Sequence, residues 1–259
     1  MPQSLQNRLL EMMPSSDLVQ LRPHLHEVRL SYRMSLFEAH EPIREVYFPI
    51  SGVASLVNIM ADGFATEVGT IGNEGVVGVP IVLGDMVGPT NVYVQVPGVG
   101  LRLKANILKD LLERSTAART LMLHYVHAFF NQVAQSAACN TAHKVEQRCC
   151  RWLLMTHDRM QSDKFPLTQE FLAMMLGVKR TTVSEVAQKL RALNLVRYGR
   201  GHATILDRAG LERHSCECYS VSKREFDRLL GPAKGLVQHR PAAPSRLETD
   251  RIVRSPIIT

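Results

Sequence analysis

Between residues 26 and 104, apolar and β-branched residues come in short runs, several of them alternating with polar positions. The clearest runs are 45–48, Val53–Ile59, 66–71 and Asn91–Val96. Breaks fall at Ser51-Gly52, Ala61-Asp62-Gly63, Gly72-Asn73, Gly88-Pro89 and Pro97-Gly98. Many short strands at this spacing predict a β-barrel or sandwich. Asp62-Gly63, set between two runs, predicts a hairpin turn. Ahead of this region, residues 4–22 read as one or two short helices.

The period changes near residue 105. Gly and Pro are absent between Leu101 and Phe165, and the apolar positions take helical spacing. Met122, Val126, Phe129 and Val133 step 4-3-4, the seam of a coiled coil. A second stripe, Leu123, Phe130, Ala134 and Ala137, runs beside it. A helix apolar on two sides can pack on its own domain with one stripe and on a twin with the other, and the first stripe is assigned to the twin. Asn140 or Thr141 is placed to cap a further helix over 144–160, whose apolar face is Val145, Cys149, Trp152, Leu153 and Thr156.

Residues 167–206 hold the most telling pattern. Thr168 caps a short helix starting at Gln169, with Phe171, Leu172, Met175 and Leu176 inward. Gly177 permits a tight turn that a Cβ would obstruct. A second helix opens at Lys179 and runs to about Leu193, with Val183, Val186, Ala187 and Leu190 inward. Its other faces carry Lys179, Arg180, Thr181, Thr182, Ser184, Glu185, Gln188 and Lys189. Two short helices about a Gly turn, the second with a polar and basic start, match the helix-turn-helix plan. Asn194 ends that helix. Two short strands follow, 195–198 and 202–206, joined at Gly199-Arg200-Gly201. They form a wing that sets Arg197, Arg200 and His202 near a phosphate backbone.

Charge changes the picture because of where it lies. The net charge of +7 divides as −2 over residues 1–143, +6 over 144–213 and +3 over 214–259. The excess sits where phosphate contact is predicted. The expected class is α+β, in four parts. A β-barrel or jelly-roll sensor over 1–113 is followed by a dimerisation helix and hinge over 114–143. A winged helix-turn-helix covers 144–218, and a tail without order covers 219–259, rich in Pro, Ala and Arg after Gly231. No run of about 18 apolar residues suggests a membrane span. The start of the chain does not read as a signal peptide, and five cysteines in 259 residues do not form a secreted disulfide framework. The expected location is the cytoplasm. No catalytic triad, Walker loop or paired-carboxylate site can be assembled, so no enzyme is expected.

The run Phe171-Leu172-Ala173-Met174-Met175-Leu176-Gly177-Val178-Lys179-Arg180-Thr181-Thr182-Val183-Ser184, followed by Leu190 and Asn194-Leu195-Val196, resembles the DNA-binding domain of the cyclic-AMP receptor/FNR superfamily of bacterial regulators. Tyr47-Phe48-Pro49-Ile50-Ser51-Gly52-Val53 and Gly72-Asn73-Glu74-Gly75-Val76-Val77-Gly78 fall where that family's barrel motifs fall. The resemblance, over residues 5–213, implies a cyclic-nucleotide-binding-like barrel and a homodimer on a two-fold-related site in double-stranded DNA, with RNA polymerase as a further partner. Relatives that bind cyclic nucleotides carry an arginine for the cyclic phosphate. Here Glu74 is kept, but the second motif reads Gly88-Pro89-Thr90-Asn91-Val92 without a basic residue, and the nearest, Arg102, lies on a later strand. The effector is therefore expected not to be cyclic AMP, and its identity is left open. Glu74, Gly75, Thr90 and Asn91 mark the expected pocket. A constitutive DNA-binding dimer with a non-sensing barrel is the alternative.

The first cysteine is Cys139, so an N-terminal iron–sulfur cluster of the family's kind is not expected. Any of ten histidines could serve haem, and nothing selects one. Cys139 and His143 share a helix face, and Cys216-Glu217-Cys218 follows the wing. These four are weak candidates for a metal or thiol switch, because nothing in the sequence shows that the two groups meet. No metal site is assigned from sequence, and Cys149 and Cys150 read as core and flank.

Overall fold

The computed structural model describes residues 6–63, 65–160 and 162–232. Two short helices, α1 (Arg8–Met12) and α2 (Ser15–Leu21), and a 3₁₀ turn (Arg22–His24) lead into seven strands. These are β1 (His26–Leu30), β2 (Ser35–Phe37), β3 (Glu45–Pro49), β4 (Val53–Ile59), β5 (Ala65–Ile71), β6 (Asn91–Val96) and β7 (Gly98–Lys104), with α3 (Val79–Val82) between β5 and β6. They form two antiparallel sheets, β1-β7-β3 and β2-β6-β4-β5. The arrangement is a jelly roll rather than a closed barrel. Gly63, at φ +83°, makes the expected turn between β4 and β5, its N–H bonded to the Met60 carbonyl at 2.9 Å.

α4 (Ala105–Arg114) leads to α5 (Thr116–Ala142), a helix of 27 residues whose start is capped by the Ser115 hydroxyl. α6 (Val145–Arg159) follows after one turn. Its cap is Lys144, whose N–H bonds the Gln147 side chain at 3.3 Å. Asn140 and Thr141, predicted to cap it, lie inside α5, because two helices in sequence need only the break at His143-Lys144. β8 (Lys164–Pro166), α7 (Gln169–Leu176), α8 (Arg180–Ala192), β9 (Val196–Gly199) and β10 (His202–Ile205) complete the winged unit, in a small sheet ordered β8-β10-β9. β8 had no sequence signal, being three residues long.

The tail predicted from residue 219 starts instead as structure. After α9 (Arg208–His214), α10 (Cys218–Leu230) buries Cys218, Tyr219, Ser222, Phe226 and Leu230. It runs back along α5, where Asn131 donates to Glu225 at 3.2 Å, and it meets α1 through the Arg8–Asp227 ion pair at 3.0 Å. The reason is its 3- and 4-residue spacing of inward positions, hidden among Lys223, Arg224 and Arg228. Residues 233–259 of the predicted tail lie outside the described residues.

Two large cores result. The first joins both sheets to α1, α4, α5 and the end of α10. The second is built on Trp152, Leu153, Phe171, Leu172, Val183 and Leu190, and it takes in Val53 and Val96 from the second jelly-roll sheet. The winged unit is thus packed onto that sheet. Phe171 meets Tyr32 edge-on at 6.0 Å between ring centres, and α7 lies against β5.

Candidate nucleic-acid interface

Each helix of the winged unit forms for local reasons. Thr168 accepts a hydrogen bond from the Phe171 N–H at 3.2 Å and so caps α7. Gly177 ends α7 in the left-handed region, φ +61°, a conformation costly for a residue with a Cβ. α8 then begins with no side-chain cap, leaving its first backbone N–H groups free for an anion. Val183, Val186, Ala187 and Leu190 are buried as the spacing predicts. Lys179, Arg180, Thr181, Glu185, Gln188 and Lys189 are exposed, and Thr182 and Ser184 are half-buried. The Ser184 hydroxyl donates to Gln169 at 2.8 Å, holding the half-buried Gln169 of α7 beside α8. Arg180 pairs with Glu170 at 2.7 Å and Lys189 with Glu146 at 3.3 Å. Pairs this open to water contribute little and exchange readily for phosphate.

The wing turns at Arg200-Gly201, both with positive φ. Arg197 and Arg200 are exposed and His202 half-buried, its Nδ1 against the Arg200 carbonyl at 3.0 Å. Thr168, the outer positions of α8 and Arg197 and Arg200 of the wing are thus exposed and polar or basic. Tyr198 of β9 turns inward instead, and burial raises its phenol pKa well above the ordinary value.

The predicted effector residues are not brought together. β4 pairs Val53 with Val96 at one end and Val57 with Asn91 at the other. Glu74 follows the β5 end opposite Ala54, so Thr90 and Asn91 lie at the far end of the sheet. Asn91 accepts from the Ala39 N–H at 3.1 Å, and the Gly75 carbonyl accepts from Asn7 at 2.9 Å. Arg102 faces Glu45 at 3.3 Å on the other sheet.

Glu74 is engaged by a residue that sequence reasoning missed. Arg159, at the end of α6, places Nε 3.1 Å from both Glu74 oxygens and Nη2 2.6 Å from Oε1. It also donates to the Thr70 hydroxyl at 2.6 Å and to Gln132 of α5 at 3.1 Å. Gly72 makes room for the arginine stem, since a Cβ there would come within 2.4 Å of it. The arginine and the carboxylate are 85 residues apart, so no local pattern announces them. The space between β5, α5, α6 and α7 is a cavity of about 30 Å³, room for a water and not a nucleotide.

A second carboxyl, Glu67, lies in the same interface. It accepts from Trp152 of α6 at 3.3 Å and from the Ser55 hydroxyl at 2.6 Å, and Ser55 also touches Gln95. Burial pushes its pKa up to about 7, against the hydrogen bonds of Ser55 and Trp152, which favour the charged form. The folded chain therefore holds a proton that the unfolded chain releases near the ordinary value of 4.5. This contribution to stability is complete below that value and is lost as pH rises through about 7. Its slope approaches about 1.4 kcal/mol per pH unit. Urea unfolding at pH 5 to 8 is expected to show the wild-type chain losing stability relative to Glu67→Gln. Parallel curves would exclude this role for Glu67.

The chain's own core covers part of the stripe of α5 that was predicted to face a twin. Met122 and Phe129 are buried in the chain's own core, so they cannot form a seam with a twin. Leu123 and Phe130 are instead 44% and 67% exposed. Val126 and Val133 are half-buried at the boundary. Both stripes have helical spacing, and only the position of the jelly roll decides which one it covers.

A family model for the Crp-like helix-turn-helix domain matches residues 147–214. That segment is similar to a Crp-like helix-turn-helix domain and takes its label here from the likeness. The Crp-like domain thus coincides with α6 to α9. No curated protein matches the chain. Among solved structures, TTHB099, a transcriptional regulator of the CRP family from Thermus thermophilus, is similar at 18% identity over 73% of this chain and 96% of that one, with a TM-score of 0.60. FixK2 from Bradyrhizobium japonicum is similar at 13% identity over 74% and 98%, with a TM-score of 0.64. The c-di-GMP-responsive global regulator CLP of Xanthomonas campestris is similar at 17% identity over 75% and 100%, with a TM-score of 0.56. The chain has the fold of the CRP/FNR regulators: a jelly roll, a long helix and then the Crp-like domain. No helix among the described residues is long and apolar enough to cross a membrane.

Proposed function

We propose that this chain is a homodimeric transcription regulator that reads a two-fold-related DNA site with α8, under the control of its jelly roll. The observation that carries the reading is the outward face of α8, where Lys179, Arg180, Thr181, Glu185, Gln188 and Lys189 stand clear of the core beside a basic wing. A helix so presented fits the major groove, with side chains at base edges and free N–H groups at phosphate. The dimer joins along Leu123, Val126, Phe130, Val133 and Ala137, a 3-4-3-4 seam on the open side of α5. In a dimer bound this way the chain acts in the cytoplasm, where it meets DNA and RNA polymerase.

The effector is not cyclic AMP bound in the family's usual manner. Glu74 is already bound to Arg159, and no arginine follows at 88–92. The same pair favours a coupled jelly roll over a passive scaffold, since Arg159 belongs to the reading domain and Glu74 to the sheet.

Selection of bound sequences from random duplex DNA by the purified chain is expected to yield an inverted repeat. On that site, Arg180→Ala should weaken binding by about 1–3 kcal/mol and relax the preference at one base pair. Arg200→Ala should lower affinity on all sequences and reduce the salt dependence by about one phosphate contact. Unchanged binding by both variants, measured by fluorescence anisotropy across salt, would remove the assignment.

A further inference from the structure

We propose that Cys139, His143, Cys216 and Cys218 bind one zinc ion at the joint between α5 and the α9–α10 turn. Cys139 lies in the last turn of α5, and His143 is the residue that ends it. Cys216 and Cys218 flank the start of α10. Folding brings one ligand atom from each within 4.8 Å of the other three. The Cys139 and Cys216 sulfurs are 3.5 Å apart, as are the Cys218 sulfur and His143 Nδ1. Tetrahedral zinc with Zn–S of about 2.3 Å and Zn–N of about 2.0 Å holds its ligands about 3.5–3.8 Å from one another. The four atoms are therefore close to the vertices that zinc requires. An iron–sulfur cluster, with sulfides to house between its thiolates, needs a wider cage.

The surroundings are those of a built site. The three cysteines form a small buried core of their own, with no aliphatic neighbour in it. The other imidazole nitrogen, His143 Nε2, faces the Glu217 carboxylate at 3.2 Å. That partner fixes the proton on Nε2 and leaves the Nδ1 lone pair aimed at the sulfurs, the carboxylate–histidine–metal arrangement. Gln135 donates an N–H to the Cys218 sulfur at 3.0 Å. Three thiolates with Zn²⁺ carry one net negative charge. Arg148 and Arg151 of α6 both lie within electrostatic reach of Cys139 and offset it. A pair of thiols would explain a disulfide; four donors with an oriented histidine explain a metal. Since protein atoms fill all four positions, the ion is structural, and zinc is the metal that suits a thiolate-rich tetrahedron. It would tie the end of α5 to α10 across the turn that carries α6, fixing the angle at which the Crp-like domain leaves the long helix.

The test uses the full chain, purified under reducing conditions. Elemental analysis is expected to find close to one zinc per chain. After removal of the metal, titration with Co²⁺ should give thiolate charge-transfer bands in the near ultraviolet and intense visible bands of tetrahedral cobalt. Cys216→Ser should abolish the near-stoichiometric uptake. Because a cysteine variant can also fail to fold, Glu217→Gln is the second: it should keep the fold by circular dichroism and weaken Co²⁺ binding by about 10- to 100-fold. Cys149→Ser, in the Crp-like core, should leave uptake unchanged. Absence of zinc together with absence of thiolate bands in the folded, reduced chain would overturn the site, as would an equal loss in Cys149→Ser. None of these readouts involves DNA, so the site and the DNA-reading role stand or fall separately.

Discussion

Phe130→Glu is expected to turn the proposed dimer into a monomer and to lower affinity for the proposed two-fold DNA site by about 10²- to 10⁴-fold, the range that linking two binding units supplies. Phe130 is 67% exposed on the open side of α5, and Leu123, one heptad step before it, is 44% exposed. Large apolar side chains on one helical line, with small Ala134 and Ala137 beyond them, are what a close helix pair requires. Burying a Phe or Leu contributes about 1.5–3 kcal/mol, and a two-fold interface counts each residue twice. Two facing glutamates would reverse that contribution and add repulsion. Sedimentation equilibrium reads the first effect, and binding to full and half sites reads the second, with half-site binding expected to change little. Phe129→Ala is the contrast. Phe129 is buried against the chain's own sheet, and a Cβ at Gly69 would already touch its ring. Its loss should cost about 3–5 kcal/mol of stability and leave the dimer intact. A Phe130→Glu chain that still sediments as a dimer would return the seam to another surface.

That contrast also shows where sequence reading runs out. Short β-branched or alternating runs between turn residues marked β3 to β6, and period 3.6 marked α5 to α8. Both are local consequences of burial, so a single chain displays them. The two faces of α8 were legible too, since Val183, Val186, Ala187 and Leu190 define its inside and leave Arg180 and Gln188 outside. What is not local was not legible. Two apolar stripes on α5 are equivalent until the jelly roll chooses one. Glu74 was placed in the expected pocket by its resemblance to the family's barrel motif, yet Arg159 arrives from the end of α6 to bind it. Cys139 and Cys216 meet across 77 residues only because α10, whose inward positions are spaced among charges, folds back along α5.

Arg159→Ala is expected to have the largest effect on stability of any single substitution at the interface between the jelly roll and the Crp-like domain. The guanidinium and the Glu74 carboxylate are 6% and 13% exposed. The pair is worth less than its short contacts suggest, because both charges left water to make it. Removing one partner is different: Glu74 would keep its desolvation without its counter-charge, and Thr70 and Gln132 would each lose a donor. The expected cost is about 3–5 kcal/mol, or a fall in Tm of about 10 °C for a chain of this size. Pairing Arg159→Met with Glu74→Gln should restore most of it, since neither variant then buries a lone charge. A double-mutant cycle by thermal and urea unfolding measures the difference, and additive single losses would mean that the two groups do not act as a pair. Hydrogen exchange gives the functional half of the result. If the pair holds the Crp-like domain to the sheet, Arg159→Ala should speed exchange at the end of α6 and along α7, while α5 under the jelly roll stays protected. Because the arginine belongs to the part that would read DNA and the carboxylate to the part that would sense, any signal passing between them has to change this contact or work around it.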